Sequence, residues 1–364
     1  MLQKLSVNAF RNYREPTLFQ PGPGINLVYG ANGSGKSSLL EAIYLLGSGR
    51  SFRTSRMARL VCEGDEELLV YGEVVSGTNP RVSRLGLSRD RNGITGLKKD
   101  GAQVKGLSEL ARVLRVQIFQ PGTVELVEGP AAARRRYLDW GLFHVEQSFL
   151  EHWRAMTAAL RQRNRLLKAP SLDRRELSVW TQQVASTSAR IDGLRRSYLA
   201  SLEPVINATC ELFPELPSTR IGLYSGWSGD GESALLETLT LEEDQDRRRG
   251  FTGKGAHRAE LRLTSDAGPV RDVFSRGQAK VFSYLMLLSQ LKHLVEAEGR
   301  GCLILVDDLA SELDQEHRER MTQAIIELGQ QTIFTALHAR QLGEQLGQDV
   351  PMFHVEHGVL TRVQ

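Results

Sequence analysis

Residues 25–46 read INLVYGANGSGKSSLLEAIYLL. The apolar INLVY predicts a strand. Gly30, Gly35, Lys36 and Ser37 complete the spacing GxxxxGK[ST], and the apolar run that follows predicts a helix from Lys36 to about Leu46. That strand, loop and helix context is what gives the spacing its meaning. Glycines let the backbone curl so that successive N–H groups face the β- and γ-phosphates of a nucleotide. The expected cradle is Gly30, Ala31, Asn32, Gly33, Ser34 and Gly35, continued by Lys36, Ser37 and Ser38 at the helix start. Lys36 would neutralise phosphate oxygens, Ser37 would ligate Mg²⁺, and the positive end of the helix adds its field. The expected ligands are therefore a nucleoside triphosphate and Mg²⁺.

A phosphate loop needs an acidic partner for its metal. CLILVDDLASELD, residues 302–314, places a short apolar strand before two aspartates. Asp307 is the expected metal ligand, and Asp308 the candidate to orient or deprotonate the attacking water. Gln120 follows the apolar VQIF and precedes Pro121, where it could touch both the metal and that water. Lys36, Asp308 and Gln120 form the expected catalytic set, and Ser37, Asp307 and Gln120 the expected metal set.

Around these motifs the chain divides by its periodicity. Short alternating segments before residue 130, among them KLSVNAF, ELLVYGEVV, RVSRLGLS and ITGLKKDGAQVKG, predict strands in antiparallel hairpins. From about Arg134 the spacing becomes helical: Phe149, Trp153, Met156 and Leu160 form one stripe, and Leu177, Val184, Ile191 and Leu202 lie on a second. A turn through KAPSLDRRE joins them into an αα-hairpin. LLETLTLEEDQDRRRG predicts one more helix, AELRLT and VRDVF strands, and residues 280–298 and 314–328 helices. The expected fold class is α/β: an ATPase head with a mixed sheet and an antiparallel β subdomain, formed by residues 1–130 and 250–364, with a helical arm inserted over 131–249. A length of 364 residues suits two domains.

The net charge of +3, from 46 basic and 43 acidic residues, weakly favours acidic partners. Its distribution says more, because Arg134, Arg135 and Arg136, RQRNR at 161–165 and RRR at 247–249 gather positive charge between residues 130 and 250. Each run is either a phosphate-contacting surface or a solvated helix face with local ion pairs. Three scattered cysteines support neither a disulfide framework nor a zinc ribbon and fit a reducing cytoplasm. Without an apolar leader or a stretch of about 20 apolar residues, neither export nor membrane insertion is expected.

One motif is left over. SRGQ, Ser275 to Gln278, stands at a helix start and offers a hydroxyl and backbone N–H groups to an anion, though the phosphate loop already fills that role. The order of phosphate loop, glutamine after a strand, SRGQ, paired aspartates and SELD at 311–314 resembles the ABC-type heads of SMC-type proteins. Closer still, the chain resembles the RecF family of bacterial recombination mediators, in FRNYRE (10–15), GRSFR (49–53), IFQPGTVELVEGPAAARRRYLD (118–139), RRGFTGKGAHRAEL (248–261) and SRGQAK (275–280).

The resemblance implies that Ser275, Arg276, Gly277 and Gln278 meet the γ-phosphate of ATP held by a second copy of the chain, so that nucleotide closes a homodimer. It implies that Arg11 and Asn12 lie near the nucleotide and that Ser311 and Asp314 line the dimer seam. GAHRAE departs from the family form, closer to GPHRDD, and either Thr335 or His338 would be the switch residue. It further implies slow ATP hydrolysis, binding to gapped and single-to-double-strand DNA junctions, and action with RecR and RecO in loading RecA. A head of the same kind acting on another DNA structure is the alternative. The absence of CxxC in the arm disfavours a zinc-hook nuclease partner, the inserted arm disfavours a transport ATPase, and a metabolic kinase would need neither SRGQ nor SELD.

Overall fold

The phosphate-loop strand Ile25–Tyr29 sits inside a six-stranded sheet, where Leu27 and Val28 are buried and the one buried polar side chain, Asn26, bonds to the Gly22 and Gly24 carbonyls. The sheet order is Val359–Arg362, Met352–Glu356, Ile25–Tyr29, Thr332–Ala336, Leu303–Val306, Val116–Phe119. Only the outermost hairpin, Met352–Glu356 with Val359–Arg362, is antiparallel. Consecutive parallel strands end on one edge, and that edge carries the phosphate loop, Asp307 and Gln120. The computed structural model describes all residues except 77–80, 172, 300, 348 and 364.

A second sheet in this unit is antiparallel, with six strands in the order Thr17–Phe19, Leu2–Asn8, Glu67–Ser76, Arg81–Asp90, Ile94–Lys99, Ala102–Gln103. Its last hairpin turns through Asp100 (φ 53°) and Gly101 (φ 85°), the two positive angles that a tight KDG-type turn demands. The helix Lys36–Ser48 buries Leu39, Leu40, Ile43 and Leu46 in one apolar core shared with residues of both sheets, including Leu5, Val70, Leu87, Leu305 and Ile333. Apolar residues around most of its circumference make it a core helix rather than a surface one.

The chain forms two compact units, Met1–Thr123 with Leu294–Gln364, and Val124–His293. Residues 124–130 and 250–293, expected with the head, thus make their densest contacts within the helical part. In that second unit Phe149–Leu167 and Arg174–Cys210 form the expected helical pair; residue 172 of the connecting turn lies outside the described residues. The longer helix starts at Asp173, whose carboxylate accepts the N–H groups of Arg175 and Glu176.

Three expectations need correction. LLETLTLEEDQDRRRG is two helices, Gly231–Leu241 and Glu243–Arg249, broken at Glu242. VRDVF is a short helix, Val270–Val273, entered through Pro269, because proline fixes the backbone just ahead of the first turn. The helix expected from residue 280 begins at Arg276. A strand that periodicity did not flag, Thr219–Tyr224, pairs with Glu260–Ser265 in a three-stranded sheet. Among the described residues no helix is long and apolar enough to cross a membrane.

Candidate nucleotide-binding site

The phosphate loop curls around the Lys36 ammonium, which donates to the carbonyls of Gly30 (2.7 Å) and Ala31 (3.0 Å). Two glycines are required by space as well as angle. A side chain on Gly30 would run into the Val355 carbonyl at 2.2 Å, and one on Gly35 (φ 128°) would meet Asn12 Nδ2 at 2.8 Å and the Tyr13 hydroxyl at 3.1 Å. Asn12 and Tyr13 are the loop's backing: Asn12 Nδ2 donates to the Ser34 carbonyl (2.8 Å) and Tyr13 Oη to the Gly35 carbonyl (3.1 Å). The expected proximity of Asn12 to the nucleotide thus takes the form of a brace on the loop's backbone.

At the end of the strand Leu303–Val306, Ser37 Oγ donates to Asp307 Oδ1 at 2.9 Å. Thr335 Oγ1 donates to the same oxygen at 2.9 Å. Burial pushes the Asp307 carboxyl above its ordinary range, against the opposing pull of those two hydroxyls. Burial likewise lowers Lys36, while Asp308 and Asp307 push it back up. Asp308 takes a left-handed backbone (φ 50°, ψ 51°), a conformation that costs an L-residue about 1 kcal/mol or more. The two carboxylates therefore leave the strand end on different courses.

A cleft of about 660 Å³ opens here, lined by Asn32, Gly33, Gly35, Lys36, Ser37 and Ser38 of the loop, by Asp307 and Asp308, and by Arg11 and Asn12. Val61, Glu63 and the arginines Arg53, Arg59 and Arg91 complete its wall. Those last three were not singled out by motif reasoning. Part of the signal was present in Glu41, a lone carboxylate inside an apolar helix: it is fully buried and needs a cation. Arg11 meets it with Nε and Nη2, each at 2.8 Å, Arg53 stands at 3.7 Å, and the Ser51 hydroxyl also donates to it. The segments FRNY and GRSFR are thereby fastened to the phosphate-loop helix. The wall carries more positive than negative charge, as a polyphosphate requires.

The residue types suit Mg²⁺. Ser37 and Asp307 present hard oxygen donors on adjacent elements facing one cleft, and no cluster of three or more acidic, histidine or cysteine ligands is present among the described residues. A cation completed by phosphate oxygens and water needs few protein ligands. Gln120 does not line the cleft. It stands beside Asp307, whose N–H bonds the Phe119 carbonyl (2.8 Å), and its side chain lies over Gly122.

The RecF/RecN/SMC N-terminal domain family matches residues 1–361. A relative from Stutzerimonas stutzeri strain A1501, described as DNA replication and repair protein RecF, is 39% identical over 365 residues, spanning 100% of this chain and 97% of the relative. The chain belongs to the RecF family. A solved structure of the recombination mediator protein RecF with ATP matches with a TM-score of 0.88 at 26% identity, covering 100% of this chain and 97% of that one. An Smc head bound to the C-winged helix domain of ScpA matches at TM-score 0.56 and 15% identity, covering 96% of that chain, and shares the ABC-type head fold.

The remaining residues that the RecF resemblance brought forward lie as follows. Ser275 and Gln278 close a reciprocal capping box, with Gln278 N–H on Ser275 Oγ (3.2 Å) and Ser275 N–H on Gln278 Oε1 (2.9 Å). Ser275, Arg276 and Gly277 are exposed. Ser311 Oγ donates to the Asp308 carbonyl (2.9 Å), and Asp314 caps the helix Gln315–Glu327 by accepting from His317 N–H (3.0 Å). Thr335 is buried and His338 exposed.

The arginine run is not one surface. Arg134 is buried, and its Nη1 donates to the carbonyls of Leu126, Val127 and Gly129 while Nη2 pairs with Glu260 at 2.6 Å. Arg135 donates to the Ala259 carbonyl at 2.7 Å. Only Arg136 is largely open, 3.8 Å from Glu125 with both side chains more than half exposed. In the GAHRAE loop, burial lowers His257 to about 4, and its Nε2 lies 3.0 Å from the Thr252 carbonyl.

Proposed function

We propose that this chain is a slow Mg²⁺-dependent ATPase that dimerises on ATP and binds DNA in recombinational repair and replication. The observation that carries the reading is the junction of Ser37 and Asp307 at 2.9 Å beside a phosphate loop, in a chain of the RecF family. Lys36 would leave the Gly30 and Ala31 carbonyls for phosphate oxygens, an exchange of like hydrogen bonds that costs little. Mg²⁺ held by Ser37 and Asp307 would neutralise charge building on the phosphates. Asp308 would orient the attacking water and take its proton, with Gln120 brought to the same water by movement of the segment after Phe119.

Ser275 supports a contact in trans. Its oxygen already accepts the Gln278 N–H, leaving the hydroxyl proton for a phosphate oxygen, with Arg276 and the N–H of Gly277 beside it. The helical segment would act as the arm of a head formed by the two chain ends. DNA would be held by its phosphates with little sequence readout, so affinity should fall steeply with salt. Gapped duplex is the proposed DNA, with RecR as a partner and RecO and RecA in the same pathway, in the cytoplasm.

Light scattering of the Asp308→Asn protein, with and without Mg-ATP and with a gapped duplex in parallel, tests this. A doubling of mass that requires ATP supports the reading. A monomer under all three conditions defeats it.

A further inference from the structure

The strand Thr332–Ala336 runs between the phosphate-loop strand and the strand that delivers the two aspartates. Its register places Thr335 opposite Val28, and Phe334 opposite Val306. Thr335 is therefore the side chain on the intervening strand that reaches both sides of the acidic strand end. It is fully buried. Its hydroxyl makes two bonds of opposite sense at the same length: Oγ1 donates to Asp307 Oδ1 at 2.9 Å and accepts the N–H of Asp308 at 2.9 Å. A third neighbour, the Val306 carbonyl, is farther off at 3.4 Å. A hydroxyl has one proton, and the closer carboxylate takes it.

The consequence lies in the backbone of Asp308. That residue lies past the end of the strand Leu303–Val306 and in the left-handed region, so its N–H stands outside the sheet ladder. Thr335 Oγ1 is the acceptor that satisfies it, and the Asp308 carbonyl is satisfied from the other side by Ser311 Oγ and the Ser311 N–H. With both backbone groups held, the point from which the Asp308 side chain leaves the chain is set relative to Asp307. The same hydroxyl joins Ser37, Asp307, Thr335 and the Asp308 N–H, so the phosphate-loop helix and the backbone that carries the Asp308 carboxylate share one hydrogen-bonded line.

We propose that Thr335 is a positioning residue for ATP hydrolysis: it ties the Asp308 backbone to the Ser37–Asp307 pair and so sets where the Asp308 carboxylate projects from. This rests on the ATPase reading above. Thr335 does not line the cleft and need not touch nucleotide, so its loss should act on turnover more than on binding. Valine has threonine's shape without the hydroxyl and leaves the Asp308 N–H with no acceptor.

The test compares Thr335→Val, Thr335→Ser and Thr335→Ala with the parent, reading ATP affinity by equilibrium titration, kcat, and hydrogen exchange of the peptide spanning residues 306–312. In Thr335→Val, kcat should fall about 10- to 100-fold, because a carboxylate displaced by about 1 Å loses that much. ATP affinity should stay within about twofold, the Asp308 amide should exchange faster, and Thr335→Ser should restore both rate and protection. If the valine variant does not fold, the serine and alanine variants differ by the hydroxyl alone, and their kcat ratio measures the same contribution. Equal kcat for serine and alanine, or a valine variant at the parental rate, overturns the positioning role while leaving the ATPase reading intact. A parent that binds ATP and never hydrolyses it overturns both.

Discussion

Arginine does opposite work in the two compact units. Around the nucleotide cleft, Arg11, Arg53, Arg59 and Arg91 sit at the wall of an open space; Glu41 pairs with Arg11 and Arg53 from within, and Glu63, Asp307 and Asp308 share the wall. In the helical unit, Arg163 and Arg195 are among the largest fully buried side chains of the molecule. Arg163 binds Asp246 at 2.6 Å, Thr252 Oγ1 at 2.8 Å and Thr181 Oγ1 at 3.1 Å; Arg195 binds Asp139 at 2.7 Å and the Ala256 carbonyl at 2.6 Å. These arginines tie the loop 250–259 to the long helices. At the cleft the basic side chains outnumber the carboxylates that line it, whereas each of these buried arginines is matched by its own carboxylate. A count of basic residues along the chain does not separate the two.

The contrast is put at greatest risk at Arg163. Arg163→Ala leaves Asp246 buried without its cation and should cost about 3–5 kcal/mol, read by chemical denaturation. Equivalent replacement of Arg59 should leave stability within about 0.5 kcal/mol and weaken nucleotide binding instead. If Arg163→Ala unfolds no more easily than Arg59→Ala, the division between structural and ligand-facing arginines is wrong.

Acid should find the helical unit first. His257 is held neutral in the folded protein, with a pKa of about 4 against an ordinary 6.5. Its contribution is fully present above pH 6.5 and is lost as pH falls toward 4, by a total on the order of 3 kcal/mol. Denaturation midpoints at pH 7.5 and 5 should converge in His257→Gln. A parallel decline in the variant would assign the acid sensitivity elsewhere.

At the cleft the expected changes are in rate. Asp308→Asn should lower ATP hydrolysis at least about 100-fold with ATP still bound, measured by phosphate release. Asp307→Asn works in the other direction on stability: its folded pKa is raised, so the ionised carboxylate opposes folding at neutral pH, and the amide should raise the melting temperature of the nucleotide-free protein while losing Mg²⁺-dependent binding. Calorimetry with and without Mg-ATP separates the two effects. The smallest change concerns Arg136. Arg136→Ala should reduce the salt slope of DNA binding by about 1, whereas Arg134→Ala should act mainly through folding because its guanidinium is occupied by internal carbonyls.

Sequence alone was informative wherever chemistry and local backbone coincide. GxxxxGK[ST] requires a strand ahead of it and a helix after it, and the acidic pair after LILV must stand at a strand end, so the strand, loop and helix around Lys36 and the place of the two aspartates in the fold were legible in the residues themselves. The long helical pair was legible from its apolar period. Contacts between residues far apart in the chain left no such local trace and emerged only with the fold. Thr335 lies 27 and 28 positions from Asp308 and Asp307, respectively, and meets them only because its strand is interposed. Arg134 reads as part of a basic surface until Glu260, 126 positions away, is seen to face it. The strand Thr219–Tyr224 has too little apolar alternation to announce itself, and it exists because Glu260–Ser265 supplies its ladder. Local pattern fixes what a segment can become, while burial and partners set by the sheet order decide whether a charged or hydroxyl side chain serves the fold or the site.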